Sequence, residues 1–346
     1  MQLVHILFAL ILFVSGCEAS DSTNEIIYTN KEKDRINTQV KRDIQTDPYT
    51  VALVPRFIGN SSYYDSVEEG AKEAAEKLGV NLIFTGPPVD DYQMQIKVIE
   101  DLIKKNVDLI AVSATDPFKL LPVLNIAREK GIKVITWDSD TDSTGRDFFV
   151  NTVDPDTLGS HLMDNLAARL NEKGEYAIIV NNYSTSNTNE WIKSMKIQQE
   201  KYYPNLKLVK IMVNYDSYEN SYKNTKLLIK KYPNLSAIVS VSPLATPAIT
   251  QAILESGKDD VEVLGLSSPK DMRNYINDGV IEDITLWSPK KLGYLTVALA
   301  KNYLNGQFPT DQQEIPNIGN IRVEDNEVIM GQPILFTKEN INQYDF

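Results

Sequence analysis

The sequence predicts an α/β fold of two doubly wound, Rossmann-like lobes joined by hinge crossings. Three observations predict it. From residue 49 onward, short apolar runs alternate with longer, helically spaced segments, and such alternation signals βαβ units on a parallel sheet. The apolar runs show little in–out alternation, as expected of strands covered on both faces. The pattern also breaks near residue 141 and restarts near 156, which divides the elements into two sets of similar size.

Residues 49–55 read as the first strand. Residues 63–78 are helical, with Val67, Ala71, Ala74, Ala75 and Leu78 on one face, and Gly79 stops them. A second strand at 80–84 is followed by the loop Gly86, Pro87, Pro88. A helix at 91–106 turns Ile96, Ile99 and Ile103 inward. The third strand is 109–113, and the third helix, 118–130, ends at Gly131. The fourth strand, 132–135, runs into Thr136, Trp137, Asp138, Ser139 and Asp140. The second set has helices at 156–171, 189–203, 217–231 and 247–256, with strands at 175–181, 206–213, 237–241 and 261–266. A helix at 271–278, a strand at 284–287 and a helix at 290–304 follow. The tail 317–336 is extended, a crossing strand with a covering hairpin. The expected lobes are 48–141 plus 269–304 and 142–268 plus 305–346. Their hinge crossings are expected near 141–154, 266–269 and 304–318.

The 346-residue chain has a net charge of −12, which argues against a nucleic-acid partner, since phosphate binding needs clustered Lys and Arg. Residues 1–16 are an apolar leader of the secretory type, although its n-region has only His5 and neither Lys nor Arg. Val14, Ser15, Gly16 and Cys17 resemble the bacterial lipobox, in which the Cys is lipidated and becomes the mature N-terminus. Cys17 is the only cysteine, so no intramolecular disulfide forms. Two or more acyl chains there would anchor the protein stably. Residues 17–47 are polar and charged and read as a tether. No later segment is apolar enough in sequence to span a bilayer.

Ligands of open parallel sheets bind outside the carboxyl ends of the strands. The loops there hold Arg56 and Phe57, then Thr115 and Asp116, then Trp137, Asp138 and Asp140. The second set adds Asn181 and Asn182, Glu190 and Trp191, Asn214 to Asp216, residues 240–243, and Ser267 with Ser268. Amides, hydroxyls, carboxylates, one Arg and two Trp suit a small polyol or sugar. Carboxylates accept from hydroxyls, Arg donates to oxygens, and an aromatic plane covers an apolar face. For any single residue, a capping or solvated role is the bland alternative.

Enzyme chemistry has little support. His5 lies in the leader and His161 in a helix, so neither a Cys–His nor a Ser–His–Asp arrangement can be assembled. No phosphate-binding Gly loop is present. Asp138, Asp140 and Asp142 begin like a calcium loop, but Ser143 and Phe149 stand where Gly and Glu are needed. No metal and no cofactor are implied.

Over residues 50–346 the chain resembles the autoinducer-2 receptor (LsrB) family, type I periplasmic-binding proteins of ABC importers. The resemblance rests on several motifs. They are Val54-Pro55-Arg56-Phe57-Ile58-Gly59, Thr136-Trp137-Asp138-Ser139-Asp140, Asn189-Glu190-Trp191, Ser268-Pro269, Leu286-Trp287, and the closing Phe336-Thr337-Lys338-Glu339. It implies a monomeric, non-enzymatic receptor on the cell surface or in the periplasm, lipid-anchored through Cys17, which hands its ligand to a permease. A family Lys becomes Arg56, and a family Asp is kept as Asp138. An Asp–Gln pair falls on Asn187 and Thr188, losing a charge. A Pro and an Ala whose main chain faces the ligand fall on Val241 and Pro243. Related binders take rhamnose and other simple sugars, which leaves those ligands, or a role as a sensor beside a membrane kinase, as alternatives.

Overall fold

The computed structural model describes residues 48–59 and 61–346. The leader, Cys17 and the tether therefore lie outside the described residues.

Five strands run in parallel through the first half: β1 (Thr50–Val54), β2 (Asn81–Phe84), β3 (Leu109–Val112), β4 (Lys133–Trp137) and β5 (Phe149–Val153). With β13 (Arg322–Glu324) and β14 (Glu327–Gly331) they form a seven-stranded sheet of order β13-β14-β5-β4-β3-β1-β2. β14 joins β5 in parallel, and β13 returns antiparallel to β14. A second, all-parallel sheet has the order β7-β6-β8-β9, from β6 (Gly174–Val180), β7 (Leu206–Val213), β8 (Leu235–Ser240) and β9 (Glu262–Gly265). β3 and β5 are buried at every position, in keeping with strands covered on both faces. This is the mixed α/β, parallel-sheet fold that the alternation predicts.

Helices α1 (Ser62–Leu78), α2 (Tyr92–Lys104) and α3 (Leu121–Glu129) connect the first strands. Helices α4 (Pro155–Leu170), α5 (Ser186–Tyr202), α6 (Tyr218–Lys231) and α7 (Thr246–Ser256) connect the second set. Helix α8 (Pro269–Asn277), strand β10 (Asp283–Leu286), helix α9 (Pro289–Leu304) and the short antiparallel pair β11 (Glu314–Ile315) and β12 (Gly319–Asn320) follow. Helix α9 packs closely on α1. A Cβ on Gly70 would lie 1.8 Å from the Lys290 carbonyl oxygen, and one on Gly293 would lie 2.0 Å from that of Val67. Only glycine permits this approach.

The expected segment assignment needs correction in three places. Residues 149–153, expected in a hinge crossing, are the buried strand β5. Residues 269–286, expected in the first lobe, go with the second sheet. There β10 pairs antiparallel with β15 (Ile334–Thr337), and Thr285 bridges Leu266 beside β9. Residues 322–331, expected in the second lobe, complete the first sheet. Backbone hydrogen bonding decides each case: strands are claimed by the ladder that satisfies their N–H and C=O groups. The chain thus passes between the sheets at 153–155, 286–289 and 331–334. Among the described residues no helix is long and apolar enough to cross a membrane, and no group of three or more His, Cys, Asp or Glu could hold a metal ion.

Candidate functional site

Strand ends and helix starts of both sheets meet around one small cavity of about 50 Å³. Its lining includes Arg56, Asp138, Asn187, Thr188, Val241 and Pro243, so the structure brings together all six residues expected to face a ligand. Arg56 follows β1, Asp138 follows β4, Asn187 and Thr188 open α5, and Val241 and Pro243 follow β8.

Local geometry aims these groups. Asp138 has a left-handed backbone, φ 62°. Its N–H donates to the Val150 carbonyl at 3.1 Å, and the next N–H, of Ser139, turns back to the Trp137 carbonyl at 2.7 Å. Its carboxylate accepts from the Tyr63 hydroxyl at 2.7 Å and the Ser113 hydroxyl at 3.1 Å. The Trp287 indole N–H donates to the Tyr63 oxygen at 3.0 Å, so Trp287 acting through Tyr63, together with Ser113, fixes the acid. Burial pushes the Asp138 carboxyl above its ordinary range, against the pull of Tyr63 and Arg56. Burial, together with the Asp138 charge, pushes the Tyr63 hydroxyl up as well.

Arg56 is buried and doubly paired. It bonds Asp90 of its own lobe and, through Nη2, Asp216 from the loop after β7 at 2.8 Å. Burial opposes the charge, but Asp216 and Asp90 outweigh it and hold the guanidinium well above its ordinary range. The Asn182 amide also donates to Asp90, at 3.3 Å. The Asn182 side-chain Oδ1 accepts from the backbone N–H of Ser184 and Thr185 at 2.8 and 2.9 Å. This turn delivers α5 to the cavity, where the Asn187 amide donates to the Asp138 main-chain carbonyl at 3.0 Å. The Thr188 hydroxyl is spent on Asn181 at 3.0 Å. The Val241 N–H is spent on the Ile179 carbonyl at 3.0 Å, and the Pro243 carbonyl accepts from Ser267 at 3.0 Å.

The aromatic residue of the Trp137 loop does not play the part expected of it. Trp137 is fully buried and donates to the Ala111 carbonyl at 3.1 Å. It packs behind Tyr64 at 6.1 Å and is not the aromatic cover of a ligand. That face is supplied by Phe57, Tyr63, Tyr64, Trp191 and Trp287. Trp191 and Trp287 lie 5.5 Å apart with rings tilted by 56°. The buried Trp191 indole N–H has no acceptor among the described residues. Asp140 lies outside the cavity lining, held by Arg146 through Nε at 3.0 Å and Nη2 at 2.8 Å. Sequence reasoning missed Tyr63 and Tyr64, which sit in the first turn of α1 behind the Ser61 cap, as well as Asp90 and Trp287 as parts of the site. The Ser61 cap and the Leu286-Trp287 strand end were the available signals.

A periplasmic binding protein domain model matches residues 51–308. The solute-binding protein of an ABC transporter from Clostridium phytofermentas, with bound L-rhamnose, superposes with a TM-score of 0.81 at 27% identity, covering 86% of this chain and 98% of that one. LsrB from Clostridium saccharobutylicum, in complex with AI-2, gives 0.80 at 24% identity, covering 86% and 100%. That likeness bears on the fold. The D-ribose/D-allose-binding protein of Pseudomonas aeruginosa is 23% identical over 275 residues, 76% of this chain and 85% of its own length. The first and the last of these are named as binding proteins.

Proposed function

The chain belongs to the periplasmic binding protein domain family, and from that premise we propose that it captures a small, uncharged, polyhydroxylated molecule and presents it to an ABC permease. The observation that carries this is the convergence of Arg56, Asp138, Asn187, Thr188, Val241 and Pro243, from both sheets, on one cavity. Charged donors and acceptors stand beside indole and phenol rings, the combination a sugar-like ligand requires. The passages at 153–155, 286–289 and 331–334 serve as the hinge about which the lobes close. The protein acts as a carrier, not an enzyme, tethered outside the membrane by lipid on Cys17.

Autoinducer-2 is the first ligand, from the motif resemblance. L-rhamnose is the second reading, favoured by five aromatic side chains around the cavity, which suit a ligand with a methyl face, and by the rhamnose-bound relative. Calorimetric titration of the purified protein with autoinducer-2, L-rhamnose and D-ribose decides between them. Micromolar binding of one compound is expected. No heat with autoinducer-2 alongside rhamnose binding would reverse the order, and no binding of any of the three would refute the reading.

A further inference from the structure

The cavity wall built by the second lobe carries one charge. Its other contributors are amides, a hydroxyl and apolar groups, and the charge is Asp216. This carboxylate is held in place from three sides. The Asp216 N–H donates to the Asn214 side-chain oxygen at 3.0 Å. The Ser242 hydroxyl donates to Oδ1 at 2.9 Å, and Arg56 Nη2 to Oδ2 at 2.8 Å. Tyr215 and Asp216 both take a left-handed backbone, φ 53° and 50°, a conformation costly for residues with side chains and concentrated at functional sites. The Asp216 side chain is 9% exposed. Asp216 and Leu244 also line the groove outside the cavity, with Ser62, Tyr218 and Asp271. Asp216 therefore stands where the cavity opens.

Arg56 spends Nε and Nη2 on carboxylates, and Nη1 has no protein acceptor among the described residues. We infer that Asp216 is a specificity-determining residue which, with Arg56, reads a ligand hydroxyl at the mouth of the cavity. The hydroxyl accepts from Arg56 Nη1 and donates to the Asp216 carboxylate. The inference rests on the proposed sugar-binding reading and names the group that selects within it. A ligand with hydrogen or methyl at that end leaves Arg56 Nη1 without an acceptor in a desolvated site, and such a site rejects it strongly. An anionic ligand is rejected too, because Asp90, Asp138 and Asp216 surround the one cation.

The test is calorimetry on the purified protein and its Asp216→Asn and Ser242→Ala variants with autoinducer-2, L-rhamnose and D-ribose. Asn tolerates the left-handed backbone, so the exchange removes charge with little strain. Losing one charge-assisted bond should weaken the best ligand by about 10- to 100-fold. Ser242→Ala should weaken it less, in the same direction. The affinity ratios among the three compounds should shift, whereas a purely structural role would lower all alike. Unchanged affinity, or uniform loss across the compounds, overturns the inference and leaves sugar binding standing. If the wild type binds none of the three, both fall. If Asp216→Asn does not fold, Ser242→Ala decides by the same criteria.

Discussion

Asp138 combines a left-handed backbone with a buried carboxylate, two features that each cost stability. The surroundings impose both: Val150 holds its N–H, Asn187 its carbonyl, and Tyr63 and Ser113 its oxygens. Residues kept in such a state usually serve function rather than folding. Asp138→Asn retains the backbone tolerance and removes the buried charge. Ligand affinity should fall by about 1.5–3 kcal/mol while the melting temperature of the ligand-free protein stays level or rises. A lowered melting point with intact affinity would assign Asp138 to the scaffold. The residues legible from sequence are those that directly follow a strand or open a helix, such as Arg56, Asp138 and Asn187. Asp216 followed a strand too, but its partner Arg56 is 160 positions away, and no local pattern reports such a pair. Trp137 misled because the last residue of a strand can turn to either face. Here it turns to the core.

At the scale of elements, strands and helices with strong periodicity were legible nearly to their ends. Strand β5 was not: its Asn151 and Thr152 look like loop residues, yet both are buried. β10 was seen as a strand but assigned to the wrong sheet, since its pairing with β15 joins residues such as Asp283 and Thr337. The α1–α9 contact is equally long-range, and it is strict. Gly293→Ala would drive a methyl group against the Val67 carbonyl and force the helices apart. It should destabilise the protein by about 1–3 kcal/mol, the usual range for overpacking, read as a lowered denaturant midpoint. An unchanged midpoint would mean that the helices are not in contact in solution.

For the whole molecule, the direct bonds between the lobes define a closed cleft. Arg56 reaches Asp216, Asn187 reaches the Asp138 carbonyl, and the Ser62 hydroxyl donates to Asp271 at 2.8 Å. Phe118 and Tyr183 are exposed on the two sides, at 64% and 62%. Spin labels there, in a background lacking Cys17, should move closer when a saturating ligand is added. A distance distribution indifferent to ligand would argue against hinge closure.

The threefold passage of the chain between sheets also sets the order in which the protein can be made. The seven-stranded sheet is incomplete until Glu327–Gly331 is available, and β10 lacks its partner until Ile334–Thr337 is. A ribosome or a secretion channel releasing the chain from its N-terminus therefore emits nearly all of it before the seven-stranded sheet or the β10–β15 pair can close. Pairings this distant in sequence form slowly, so that an exported chain would stay threadable. It also means that a truncation removing the last few dozen residues would damage both lobes at once rather than sparing one.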